Sequence, residues 1–220
     1  GINALSAAML GLQAVNSLRE TFKDDDCIRF HPIITKGGEG VNIVPSEVKI
    51  ESYLRAKNMD VLMETNKKIN RALEAGAMAI GCNIEIEDLP GYMPMISNNL
   101  MTKIFSDNAS KIIGKENVCE LHIHFAGSSD MGDVTQIIPG IQPMIGGFEG
   151  ELHSKAFKIT DKEMAYIMPA KIMAMTIIDL LYNNANLAKE VLKERKKTKE
   201  IYLNEIQNMR KVYKKEYMTY

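Results

Sequence analysis

Three features of the sequence predict an α+β fold in two parts: alternating helix and strand periodicities up to Glu87, a Pro-Gly break after it, and a helix-rich remainder. Leu5, Met9, Leu12, Val15 and Leu18 recur at three- and four-residue steps, the stripe of an amphipathic helix that opens almost at Gly1. Cys27 to Thr35 is rich in β-branched and apolar residues and reads as a strand, and Gly37-Gly38-Glu39-Gly40 as a turn. Val48, Ile50, Ser52 and Leu54 alternate with Lys49, Glu51, Tyr53 and Arg55, the period of a second strand with one covered face, paired with the first. Met59, Leu62, Ile69 and Leu73 predict a helix over about 59–75 with Gly76 as its terminator, and Ala77 to Glu87 a returning strand.

Helix, strand, strand, helix, strand is the order of a ferredoxin-like βαββαβ sandwich lacking its first strand, which is expected upstream of Gly1. Pro90-Gly91-Tyr92-Met93-Pro94 marks the expected boundary of this first domain, residues 1–92. Beyond it, residues 98–113 predict a helix ended by Gly114, and 118–125 a short strand. Thr160-Asp161-Lys162-Glu163 has capping-box spacing ahead of an apolar helix in which Pro169 must make a kink or a second start. The second domain is therefore read as 93–183, and 184–220 as a basic helical tail.

Composition bounds the function classes. The chain has 220 residues, 45% hydrophobic and 25% charged, enough for one substantial core or two small ones. No uninterrupted apolar run approaches the roughly 20 residues that span a bilayer, and a signal-peptide layout is absent from the sequence, so a cytoplasmic protein without a membrane partner is expected. Cys27, Cys82 and Cys119 form no CxxC pair and are expected to be reduced thiols. The net charge is −1, yet residues 184–220 hold 10 Lys/Arg against 5 Asp/Glu. The mixed signs of that tail favour a solvated helix over a nucleic-acid contact, and the first domain shows neither a basic face nor interleaved aromatics.

Three clusters carry the residue types of a site. The first is Gly37 to Pro45 with Arg55 on the next strand: glycines let backbone approach a ligand, Asn42 can pair with an amide, and Arg55 can grip a carboxylate in bidentate fashion. Taken alone, it reads as a hairpin with a surface arginine. The second is Gly127-Ser128-Ser129-Asp130-Met131-Gly132-Asp133, preceded by His122 and His124, whose two imidazoles alone do not make a metal site. The third is Gly146-Gly147-Phe148-Glu149-Gly150-Glu151-Leu152-His153, where a single His is equally a structural residue.

In combination and in this order, the opening helix, the GGEGVNIVP run with Arg55, the SSDMGDV loop, and the LHS-to-TDKEM stretch with its apolar helix resemble the zinc-dependent aminoacylase, carboxypeptidase-G and desuccinylase superfamily. The SSDMGDVT loop most resembles that of the aminobenzoyl-glutamate utilisation hydrolases. The match spans roughly residues 1–183.

This resemblance implies a dimerising ferredoxin-like lid followed by the C-terminal portion of an α/β zinc-peptidase catalytic domain. It implies Asn42 and Arg55 as substrate contacts, Asp130 as an active-site loop acid, Gly146 and Gly147 as a backbone wall beside the substrate, and His153 as the last ligand of a two-zinc site. The remaining zinc ligands, the bridging acid and the general-base Glu belong to the family's region ahead of the lid, so no catalytic residue is expected in this chain. The complete protein is expected to be a homodimeric metal-dependent amidohydrolase of small N-acyl amino acids or dipeptide-like substrates, and the isolated chain inactive. The alternative is a non-catalytic oligomerisation or peptide-binding module.

Overall fold

The computed structural model describes residues 1–119, 128–195 and 197–217. The expected strand at 118–125 and both His122 and His124 fall largely or wholly outside these residues. The chain divides into two compact units: residues 1–94 with the C-terminal segment from Asn204, and most of the intervening chain. The helix and strand content is that of an α+β protein.

In the first unit, helix α1 (Ala4–Ser17) starts where Asn3 accepts hydrogen bonds from the Leu5 and Ser6 amides at 3.0 and 3.2 Å, two of the donors a helix N-terminus leaves open. Strands β1 (Arg29–Lys36) and β2 (Lys49–Arg55) pair antiparallel, with Phe30 opposite Leu54 and Ile34 opposite Ile50. Helix α2 (Met59–Ile80) crosses α1, and Val15, Phe30, Ile69 and Ala72 form a core flanked by Leu12, Leu18, Leu54 and Leu73.

Gly76 does not end α2. It lies buried inside the helix against α1, where a Cβ would stand 2.3 Å from the Gly11 nitrogen. The helix runs one turn further and ends at Gly81, whose φ of 79° is the left-handed conformation that favours glycine at this position. Strand β3 is consequently shorter than expected, Ile84–Asp88.

Among the described residues the strands of this unit fall into two separate pairs. β1 and β2 form one two-stranded sheet, and β3 pairs antiparallel with β6 (Lys211–Lys215) from the C-terminal segment. A ferredoxin-like sheet would place its first strand between β2 and β3, and in this structure those two strands are not joined. The tail read as one basic helix is thus helix α6 (Lys199–Met209) followed by a strand.

In the second unit, Asn98 caps helix α3 (Asn99–Ile113) by accepting from the Met101 amide at 2.8 Å, and Gly114 ends it. The SSDMGDV segment is the start of a helix, α4 (Met131–Ile137). Strands β4 (Phe148–Glu149) and β5 (Lys158–Ile159) make a small hairpin, braced by Phe148 stacked on Phe157 with ring centroids 5.2 Å apart.

A π-helical turn at Glu163–Ile167 runs directly into α5 (Met168–Leu192), so Pro169 lies inside continuous helix, where its ring and missing N–H disturb the preceding turn. The cap is Asp161, not Thr160: its Oδ1 accepts from the Met164 amide at 3.0 Å. Asn183, Asn184 and Ala185 hold left-handed backbone and break α5 in two.

Glu163–Leu192 is the one helix among the described residues long and apolar enough to cross a membrane. One side of it packs on α3 through polar groups: buried Asn108 donates to Asp179 Oδ2 at 2.7 Å and lies 3.5 Å from Thr176 Oγ1.

Candidate functional site

Arg55 ends β2, half-buried, with its Nε withdrawn from solvent. Arg29 stands directly opposite it across the strand pair. Like charges facing each other across a pair of strands repel, and the Lys57 amide donates to the Asp26 carbonyl at 2.9 Å, which ties the Asp24–Asp26 turn to the same end of the hairpin.

Asn42 lies at the other end. The loop between β1 and β2 is joined to α1 by the Ala4 amide donating to the Pro45 carbonyl at 3.0 Å, and is drawn together by Lys36, which pairs with Glu47 at 2.6 Å and Glu39 at 3.7 Å. Hydrogen bonding and charge from Lys36 hold the Glu47 carboxyl below its ordinary range, although Glu47 is exposed and Lys36 partly so, and the pair stabilises little. Asn42 itself is exposed. The six residue steps of β2 put the Lys49 and Arg55 ends about 20 Å apart, so Asn42 and Arg55 of one chain do not converge on one small ligand.

Asp130 occupies the N-cap position of α4 and is exposed. Ser129 Oγ donates to its Oδ1 at 3.3 Å and accepts from the Met131 amide at 3.2 Å, which fixes the turn. Further along the same helix, Tyr202 donates to Asp133 Oδ1 at 3.0 Å, and burial together with this bond raises the phenol above its ordinary pKa. Nothing local pointed to Tyr202, because a contact spanning 69 residues has no sequence pattern.

Gly147 has φ +91° and a Cβ there would meet the Asp161 carbonyl oxygen at 2.6 Å. Its own carbonyl accepts from the Thr160 and Asp161 amides at 2.9 and 3.2 Å, tying the hairpin to the start of the following helix. Gly146 is exposed, and a Cβ there would make only an ordinary contact with Met164.

His153 sits between β4 and β5, exposed, with a left-handed φ of 65°. A non-glycine residue held there carries backbone strain, which concentrates at functional positions. Among the described residues no group of three His, Cys, Asp or Glu side chains could hold a metal ion. By themselves these residues do not fit the two-zinc site that the resemblance implies. The segment with His122 and His124 lies outside the described residues.

No family model matches the chain. Two curated proteins are similar to it, both named Xaa-Arg dipeptidase. The protein from Mus musculus is 32% identical over 195 residues, covering 85% of this chain and 44% of the relative. The protein from Homo sapiens is 32% identical over 190 residues, covering 83% of this chain and 43% of the relative. The chain therefore spans less than half the length of the curated relatives it matches, and the similarity supports a peptidase-family relationship.

Proposed function

We propose that this chain forms the lid and C-terminal portion of a metal-dependent amidohydrolase that cleaves the peptide bond of a dipeptide or small N-acyl amino acid, with dipeptides ending in arginine as the leading substrate class. The observation that carries this reading is the similarity to the two Xaa-Arg dipeptidases over more than four-fifths of the chain. Within it, Arg55 binds the substrate carboxylate, since a half-buried guanidinium offers paired donors in a planar fork. Asn42 contacts the substrate amide from a different copy of the lid, a role its distance from Arg55 calls for. Asp130 and the Gly146-Gly147 backbone border the substrate, and His153 supplies one zinc ligand to a site whose other ligands come from elsewhere in a longer polypeptide.

Two further observations support the reading. Tyr166, Ile167, Met173, Ile177, Ile178 and Leu181 are each about half or more exposed, a large apolar row suited to burial under additional chain. Met9 and Leu10 on α1, with Ile33 and Ile34 on the open edge strand β1, are exposed as well and suit a homodimer formed through the lid.

The test is release of arginine from Xaa-Arg dipeptides by the native polypeptide that carries these residues. Turnover, its loss on chelation, and a fall of kcat/KM for Arg55→Ala corresponding to roughly 2–4 kcal/mol are expected, with Arg55→Lys restoring only part. Turnover that survives both chelation and His153→Ala overturns the reading.

A further inference from the structure

Strand β3 presents an acidic row to one side. Its side chains alternate, with Ile84 and Ile86 turned toward the protein and Glu85 and Glu87 exposed. The strand paired with it is basic, and opposite charges meet at two places: Lys214 lies opposite Glu85 and within 3.0 Å of it, and Arg210 reaches Glu87 at 3.4 Å, while Lys211 stands opposite Asp88 in the register. Just past the strand, the Tyr217 amide donates to Asn83 Oδ1 at 3.0 Å and its hydroxyl to Glu74 Oε1 at 2.8 Å, and Tyr217 is half-buried.

Every residue of β6 is exposed. No apolar side chain of the strand is buried, so among the described residues it is held by ladder hydrogen bonds, solvent-screened ion pairs and the Tyr217 anchor. Such an element belongs to the low-stability end of a fold and opens without unfolding the rest. Once it opens, β3 exposes the edge that β6 had covered, a template on which extended peptides add as strands.

We propose that the β3 edge is a strand-acceptor site selective for a basic strand followed by a tyrosine, and that β6 is an exchangeable occupant which the 211–217 segment of a second copy of this chain can replace. Glu85 and Glu87 select the charge of the incoming strand, while Asn83 and Glu74 fix its register by receiving the tyrosine. The acceptor site requires no hydrolytic role for the chain.

The experiment uses a fluorescent peptide of residues 208–217 and the full 220-residue chain, with anisotropy as the readout. Saturable binding is expected, weakened roughly ten-fold or more between low salt and about 1 M salt, where screening shortens to about 3 Å. A peptide with Lys211, Lys214 and Lys215 changed to Glu should not bind, and Glu85→Lys with Glu87→Lys in the chain should abolish binding of the native peptide. A chain carrying Val212→Pro and Tyr213→Pro should bind more tightly, because adjacent strand residues face opposite ways and one of the two prolines must remove a ladder donor from the resident strand. Far-UV circular dichroism checks that this chain is folded. Failure of the native peptide to bind that folded proline variant, or equal binding of the charge-reversed peptide, overturns the proposal.

Discussion

Replacing Gly76 with Ala tests the packing that organises the first unit. The new Cβ would stand 2.3 Å from the Gly11 nitrogen, 2.6 Å from the Gly11 Cα and 2.7 Å from the Ala7 carbonyl oxygen. All three are backbone atoms and cannot rotate away. Ordinary carbon contacts lie near 3.5–4.0 Å, so α1 and α2 must separate by about 1 Å, loosening the core at Val15, Ile69 and Ala72. Alanine gains about 1 kcal/mol over glycine inside a helix, whereas overpacking costs about 1–3 kcal/mol or more. With backbone against backbone the upper end applies, and the net loss is about 2 kcal/mol. For a chain of this size that lowers Tm by roughly 4–8 °C, readable by far-UV circular dichroism. Gly81→Ala is the control: nothing lies within 4 Å of its Cβ position, so it bears only the left-handed backbone cost of about 1–2 kcal/mol. A rise in Tm for Gly76→Ala would refute the close helix crossing, since a mid-helix glycine without that contact is improved by alanine.

His153→Gly should raise stability by about 0.5–1 kcal/mol in a melt, because it relieves a left-handed residue, while removing hydrolysis by the native polypeptide; lost stability would deny the strain. Asn108→Ala should cost about 1–2 kcal/mol, since half-buried Asp179 loses a charge-assisted donor while the exposed Lys111 ammonium, which donates to Asn108 Oδ1 at 3.2 Å, regains water. Chemical denaturation of the second unit measures it, and a change below about 0.5 kcal/mol would contradict the network. Sedimentation at micromolar protein should show a dimer, and a purely monomeric profile would remove the lid interface.

Where a residue's role is set by its neighbours in sequence, the fold was legible. Gly114 ends its helix as expected, and the alternation through Lys49–Arg55 gives the β1–β2 pair its register, whereas Asn3 and Asn98, read as helical, are the caps just outside. Gly76 misled because a glycine at the end of an apolar stripe looks the same whether it terminates a helix or lets another helix approach. Ala77-Met78-Ala79-Ile80 suits either helix or strand, so nothing local separated α2 from the strand after it. The β6 strand was obscured by its lysines, whose charge matches acids on β3 more than a hundred residues away.

The site was legible as glycine-flanked runs but not as an assembly. Nothing in the spacing of Asn42 and Arg55 reveals that β2 separates them, and the left-handed backbone of His153 depends on the β4–β5 hairpin closing around it.

The central claim is that this chain contributes a lid, a substrate arginine and one metal ligand rather than a complete catalytic centre. Its most direct test is to measure zinc bound per chain in the purified 220-residue protein while assaying hydrolysis of Xaa-Arg dipeptides. A catalytic zinc site takes about three protein ligands, so the account predicts substoichiometric zinc and no turnover. Stoichiometric zinc with turnover abolished by His153→Ala would contradict it and require a complete site within these residues.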